Sequence, residues 1–148
     1  MRLTSRVVIN KPSGKIFAFL ARPESHPSFV PGLTELRLVS QKMGQDARLV
    51  GIRRDFGVRQ RLSYRVSAFE PPDTIALVGR AGPLEGTAIY RLSPLGPDQT
   101  ELTFEIEGRV LGPVRVADRL LGPLLRRATE QTPANLKRVM EALADGSE

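Results

Sequence analysis

The 148-residue chain contains no cysteine and no tryptophan, and it has a single histidine. The absence of cysteine excludes disulfides, thiolate nucleophiles and zinc or iron–sulfur sites built on thiolates. The lone histidine, His26, has no carboxylates at ligand spacing around it, so the sequence predicts no metal site and no bound cofactor. We interpret His26 as a surface-loop residue. The alternatives are that it lies at the entrance of a cavity or that it acts as a base.

Long apolar runs and known catalytic motifs are also absent. No apolar stretch approaches the ~20 residues that span a bilayer, and the first residues alternate like a strand rather than forming a signal peptide. The chain has neither a Gly-x-Ser-x-Gly nucleophile elbow nor a glycine-rich phosphate loop. These patterns predict a cytoplasmic protein without a recognisable catalytic constellation. They favour a non-enzymatic role and leave an enzymatic one open.

The charge is basic, with 22 Lys and Arg against 16 Asp and Glu and a formal net charge of +6. An arginine-rich surface that maintains solubility is one explanation, and a polyanionic partner such as RNA or an acidic membrane is the other. There is no run of five or more like charges and no alternation of basic and aromatic residues, so no specific nucleic-acid binding is predicted. A weak contact with RNA, a ribosome or a membrane surface would use the arginines at positions Arg48, Arg54, Arg59, Arg61 and Arg65.

The apolar spacing predicts a strand over residues 2–10 and a short helix after Ser13, which we expect to be its N-cap. Prolines then limit residues 24–29 to about one further helical turn. After Gly32 the period becomes two, which predicts strands at 34–40, 47–54, 59–69, 74–80, 84–93 and 100–108. The links between these strands are short and turn-rich, so they leave no room for crossover helices and indicate an antiparallel meander.

From residue 113 to residue 144 the apolar spacing is helical. Pro123 and Pro133 interrupt this stretch, and we expect them to kink or break the helix. The sequence therefore predicts one α+β domain over residues 1–144 and a frayed tail at 145–148. Its architecture is a curved antiparallel sheet of about seven strands, with two short helices after the first strand and a long C-terminal helix over the concave face.

A single helix cannot fill all the space beneath a broad, twisted sheet. Small residues alternate with large ones on the predicted concave face: Gly51, Gly79, Gly86 and Ala88 lie among Leu49, Leu77 and Tyr90. Small residues on a buried face leave unfilled volume, which predicts a cavity for an apolar ligand. The alternative is that the glycines mark bulges that bend the sheet.

Several local segments carry a family resemblance across nearly the whole chain. They are Val7–Phe17, Leu20–Glu24 with Phe29–Gly32, Tyr64–Pro72, Ala88–Pro94 with Thr100–Thr103, and Asn135–Lys137. With this element order, the chain resembles the START-like (SRPBCC) superfamily, which includes polyketide cyclases, plant pathogenesis-related proteins and lipid-transfer domains. The resemblance implies a helix-grip fold with a hydrophobic cavity for lipids, isoprenoids, quinones or polyketides. Phe29 stands where relatives carry tryptophan, which we interpret as a substitution in the core.

The predicted cavity residues are inward-facing positions of the strands and of the helix: Arg53, Leu62, Tyr64, Leu77, Ala88, Tyr90, Phe104, Leu121 and Leu125. A tyrosine at position 64 or 90 either offers its hydroxyl to a ligand or is a core residue bonded to backbone. Arg53 either lies at the rim or needs an anionic partner, for which Glu85, Asp118 and a ligand carboxylate are the candidates.

Binding or transport of a small hydrophobic molecule is therefore the first functional hypothesis. A cyclase or dehydrase that uses Tyr64, Tyr90, Arg53 and His26 is the second. A basic adaptor for RNA, ribosomes or acidic membranes is the third. Nothing in the sequence sets the ligand or the oligomeric state.

Overall fold

A computed structural model describes residues 2–82, 84–110 and 117–143. The predicted tail at 145–148 and the predicted helix start at residue 113 lie outside these described residues. The first strand, β1, is Arg2–Ile9, and it is followed by the helix α1, Ser13–Leu20, and a 3₁₀ helix, Pro23–Ser28. The remaining strands are β2 Leu33–Leu38, β3 Arg48–Asp55, β4 Val58–Glu70, β5 Thr74–Ala81, β6 Leu84–Gly96 and β7 Gln99–Val110, and the last helix is α2, Ala117–Ala142.

The seven strands form one antiparallel sheet in the order β1-β7-β6-β5-β4-β3-β2. Strands β2 to β7 pair with their sequence neighbours, because each link is a short turn, and β1 adds to the free edge of β7. This is the predicted architecture. The alternation of side chains is also confirmed, since Leu102 and Phe104 on β7 are buried while Thr103 between them and Glu101 and Glu105 on either side are more exposed.

Two local predictions are wrong, and one of the two alternatives for the last helix is excluded. The N-cap of α1 is Pro12 rather than Ser13, and no side chain caps this helix, because Ser13 is already its first helical residue. Strand β6 continues beyond residue 93 through Pro94, where a register irregularity between Pro94 and Gly96 accommodates the missing N–H. Of the kink and the break expected at the two prolines, the break does not occur, since α2 runs as one helix through Pro123 and Pro133.

Helix α2 is held against the sheet by both apolar and polar contacts. It packs on β1, β7 and the 3₁₀ helix, and it buries Leu136 and Met140 in the core. Asn135 Nδ2 donates a hydrogen bond of 3.1 Å to the Phe29 carbonyl, and Lys137 Nζ donates one of 2.7 Å to the Val8 carbonyl. The Asn135–Lys137 segment therefore serves to dock the helix. No helix in the described part of the chain is long and apolar enough to cross a membrane.

The buried side chains form two groups on the concave side of the sheet. One group lies beneath α1 and the C-terminal half of α2 and includes Phe29, Tyr90 and Phe104. The other lies on the strands β2 to β5 and includes Leu36, Leu49 and Val66. The space that these two groups leave between them is the candidate site.

Candidate ligand-binding cavity

A cavity of about 190 Å³ lies between the concave face of the sheet and α2. Most of its lining is apolar, with side chains contributed by β2 to β7 and by one face of α2. The structure brings all nine predicted cavity residues to this one space: Arg53, Leu62, Tyr64, Leu77, Ala88, Tyr90, Phe104, Leu121 and Leu125. Seven of them lie at inward positions of the strands, and Leu121 and Leu125 lie on α2.

The small residues on the concave face do two different things. Gly51 and Gly79 make room for the ring of Tyr64, because a Cβ on Gly51 would lie 2.7 Å from Tyr64 Cε2. Gly86 faces open space, where an added Cβ would meet only the Glu107 carbonyl at 3.8 Å, and neighbouring Ala88 also lines the cavity. None of these residues lies at a register shift, so the alternative that these glycines mark bulges is wrong.

A polar cluster occupies the part of the cavity next to the β3–β4 hairpin. Arg53 Nε donates to Asp55 Oδ2 at 2.9 Å, and its Nη2 donates to the Pro31 carbonyl at 2.9 Å. The Tyr64 hydroxyl lies beside the same guanidinium. Burial alone would lower the pKa of Arg53, but the hydrogen bonds and charge of Asp55 outweigh it and raise that pKa. Burial raises the pKa of Tyr64, with Arg53 opposing.

The ion-pair partner of Arg53 is Asp55, which was not among the expected candidates. Glu85 instead pairs with Arg109, at 2.6 Å, and the Asp118 side chain lies outside the described residues. Asp55 has the same strand parity as Arg53, two residues further on, so it projects from the same face. The charge of Arg53 is therefore already compensated before a ligand arrives.

A second polar group, centred on His26, lies deeper in the cavity. His26 is only 1% exposed, so its interpretation as a surface-loop residue is wrong. Its Nε2 lies 2.8 Å from the Leu20 carbonyl, and its ring packs 5.1 Å from that of Phe29 and 6.2 Å from that of Tyr90. Burial lowers the pKa of His26 to about 4, against the smaller opposing effects of the Leu20 bond and Glu24. The imidazole is therefore neutral near pH 7, with Nε2 donating to Leu20 and Nδ1 left as an acceptor.

Tyr90 lies between the His26 and Arg53 groups and is almost fully buried. Burial raises its pKa, and Arg53 opposes that effect. Among the described residues, neither Tyr64 nor Tyr90 bonds its hydroxyl to a backbone group, so the interpretation as ordinary core tyrosines is wrong in that respect. Both side chains line the cavity.

Thr132 on α2 was missed by the sequence analysis. Its hydroxyl is buried in the cavity lining, and within the described residues it has no hydrogen-bond partner. Thr129, one turn earlier, shows the usual alternative, since its hydroxyl donates to the Leu125 carbonyl at 2.7 Å. Its spacing in the sequence could have identified it. Thr132 lies four residues after Ala128 and four before Leu136, inside the apolar stripe of the helix.

The five arginines of the adaptor hypothesis do not reach the cavity. All five are exposed and alternate with the inward residues of β3 and β4, so they lie on the outer face of the sheet.

Within the described residues, no group of three or more histidine, aspartate or glutamate side chains is placed to hold a metal ion.

Comparison with known proteins agrees with this architecture. The family model described as "Polyketide cyclase / dehydrase and lipid transport" matches residues 1–141. An uncharacterised protein of Mycobacterium tuberculosis is 24% identical over 106 residues, which are 70% of this chain and 68% of that protein. Among solved structures, a START superfamily protein from Mycobacterium smegmatis has a TM-score of 0.79 at 17% identity, covering 97% of this chain and 99% of that one. The Zhui aromatase/cyclase from a Streptomyces species also has a TM-score of 0.79, at 16% identity, covering 100% of this chain and 99% of that one.

Proposed function

The chain belongs to the polyketide cyclase/dehydrase and lipid transport family, and on that premise we propose that it binds a small, mostly apolar and uncharged molecule in the cavity beneath α2. The observation that carries this proposal is the unfilled space over Gly86 and Ala88, next to side chains that are otherwise packed as a core. An empty space of this kind lowers the stability of a protein that has no use for it.

The size of the cavity limits the ligand. Cavities for drug-sized ligands occupy about 300–1,000 Å³, and an apolar cavity of about 150 Å³ binds benzene. The 190 Å³ seen here suits a ligand of one or two fused rings, or an acyl chain of similar volume. Aromatic polyketide fragments, short isoprenoids and quinone head groups are the members of the predicted classes that have this size.

The polar side chains in the lining limit the ligand's chemistry. The Arg53 charge is compensated by Asp55, and His26 is neutral near pH 7, so no net charge faces the ligand from these groups. Hydroxyl groups are provided by Tyr90 and by Thr132, whose hydroxyl no other described residue bonds. A phenol, alcohol or ketone on an apolar body would match this lining, because it can pair with a hydroxyl without bringing in a charge.

Isothermal titration calorimetry with naphthol, a two-ring phenol, tests the proposal. The variant Ala88→Leu fills the cavity and should weaken naphthol binding by at least about tenfold, which corresponds to 1.4 kcal/mol. The same enlargement at Ala18→Leu, on the exposed side of α1, is the matched control and should leave binding unchanged. Failure of the wild-type protein to bind naphthol or a panel of similar one- and two-ring phenols and ketones would count against the proposal.

A cyclase- or dehydrase-like enzyme is the second candidate. It is favoured by the convergence of Arg53, Tyr64, Tyr90 and His26 on one cavity, where burial of Tyr90 keeps its hydroxyl protonated and able to donate. Turnover of a short polyketide mimic, compared between the wild type and the variants Tyr64→Phe and Tyr90→Phe, tests this role. Turnover that survived both changes would remove the tyrosines from the chemistry.

A further inference from the structure

The hairpin that joins β3 and β4 has an unusual residue at its tip. Phe56 and Gly57 form the two-residue turn, with φ of 53° and 76°. Positive φ at both positions is the geometry that favours Asn-Gly, and a bulky residue adopts it at a cost. Phe56 is also 66% exposed, so no packing within the described chain compensates for that conformation.

The apolar surface at this tip also includes Val58, two residues after Phe56. Val58 is 55% exposed, and it follows the turn on the cavity side of the hairpin. The other large exposed apolar side chains, Val8, Val39 and Leu95, lie elsewhere on the sheet or its turns. Two exposed apolar side chains, two residues apart at the end of the hairpin, therefore form a small surface, here called the apolar tip (Phe56 and Val58).

Arginines flank the apolar tip without carboxylate partners. Arg54 on β3 lies directly opposite Arg59 on β4, and Arg61 follows on the same outward face. Like charges placed directly opposite one another destabilise a strand pair. None of these three arginines forms an ion pair with any residue of the described chain, whereas Arg65, further along β4, pairs with Asp46. Within the described residues, no carboxylate pairs with the positive charge around the tip.

We infer that the apolar tip and Arg54, Arg59 and Arg61 dock this protein onto an anionic lipid surface. At such a surface Phe56 and Val58 enter the acyl boundary, while the arginines pair with lipid phosphates. RNA would also satisfy the arginines, but its phosphates give no reason for an exposed phenylalanine in a strained turn. A membrane accounts for both features together.

Docking in this orientation would bring the cavity close to the membrane. Asp55, which lines the cavity, immediately precedes Phe56, and Gln60 on the other strand of the hairpin lines it as well. The inference does not depend on the identity of the cavity's ligand, since vesicle binding is measured without one.

The absence of tryptophan from the chain gives a direct test. The variant Phe56→Trp places a single tryptophan at the tip, and Leu95→Trp places one at the exposed end of β6, at the opposite end of the sheet. With vesicles of phosphatidylcholine and phosphatidylglycerol, the Phe56→Trp emission should shift to shorter wavelength and be quenched by brominated lipid. The Leu95→Trp emission should not change, and vesicles of phosphatidylcholine alone should produce little effect.

Three further variants and one control variant complete the test by vesicle co-sedimentation. Phe56→Asn suits the left-handed turn and so keeps the hairpin, yet it should weaken binding by at least about tenfold. Arg54→Gln and Arg59→Gln should each weaken it about fivefold, whereas Arg6→Gln on the far edge strand should not. Equal binding to neutral vesicles, or no binding to anionic ones, would overturn the inference. So would anionic binding that persists in Phe56→Asn and is matched by single-stranded RNA, because the arginines would then act as a general polyanion surface.

Discussion

The ring of Tyr64 lies directly over Gly79, its partner on the neighbouring strand: a Cβ on Gly79 would come within 2.5 Å of Tyr64 Cε1. Gly51 gives the ring the same clearance on the other side. The tyrosine therefore lies across the sheet instead of standing up into the cavity. This arrangement keeps the space above it open and brings the hydroxyl to Arg53.

Adding one methyl group at Gly79 should disturb this arrangement. We expect Gly79→Ala to lower the free energy of unfolding by about 2 kcal/mol, because the ring cannot move away without leaving its place between two strands. The matched control is Gly86→Ala, where the new Cβ meets open space. That variant should be neutral or slightly stabilising, since alanine loses less conformational freedom than glycine on folding. Urea denaturation of both variants measures the difference, and equal effects would contradict the geometry.

Stability should depend on pH through His26. Its pKa is lowered from 6.5 to about 4 in the folded protein, so between these values the unfolded chain binds more protons than the folded one. The stabilisation of the neutral imidazole is therefore complete above about pH 6.5 and is lost as the pH falls toward 4, by about 3 kcal/mol at most. Urea denaturation at pH 7 and pH 5 should show this loss in the wild type. His26→Gln should lack most of it, and an equal loss in that variant would assign the effect to other groups.

The two buried threonines of α2 should respond differently to the same substitution. Thr132→Val replaces a buried hydroxyl that has no partner among the described residues, and we expect it to stabilise the unliganded protein by about 1 kcal/mol. Thr129→Val removes a hydroxyl that bonds to Leu125, so it should bring no gain. If Thr132 contacts a polar group of the ligand, Thr132→Val should also weaken naphthol binding. A Thr132→Val variant less stable than the wild type would show that the hydroxyl has a partner in solution.

The charge compensation of Arg53 by Asp55 predicts a change of ligand preference. With Asp55→Asn the guanidinium keeps its charge but loses its carboxylate partner. Naphthoate, an anionic two-ring probe, should then bind about tenfold more tightly, because a charge-assisted hydrogen bond contributes about 1.5–3 kcal/mol. Naphthol should bind as before. Calorimetry with both probes checks this, and an unchanged affinity for naphthoate would place Arg53 outside the reach of the ligand.

Much of the fold could be predicted because its signals are local. The alternation of polar and apolar residues on β4 and β7 identified the inward face of each strand. The short turns between strands are compatible only with an antiparallel meander. The same parity selected Leu62, Leu77, Ala88 and Phe104 as cavity residues. These inferences need only the two-residue period of a strand and the spacing of a helix.

The remaining features depend on how side chains meet in three dimensions. His26 stands between Ser25 and Pro27, a context typical of a surface loop, yet the 3₁₀ helix turns it into the core. The flat orientation of Tyr64 requires glycines on two neighbouring strands at once. The partner of Arg53 could have been predicted, because Asp55 lies on the same strand with the same parity.

The central claim is that the cavity beneath α2 holds a small, mostly apolar molecule, and native mass spectrometry of the protein purified from its own host tests it most directly. The account predicts a bound species of one or two rings, or a chain of similar volume, released by organic extraction and absent from the Ala88→Leu variant. An unliganded wild-type protein that also fails to retain added naphthol under the same mild conditions would contradict it.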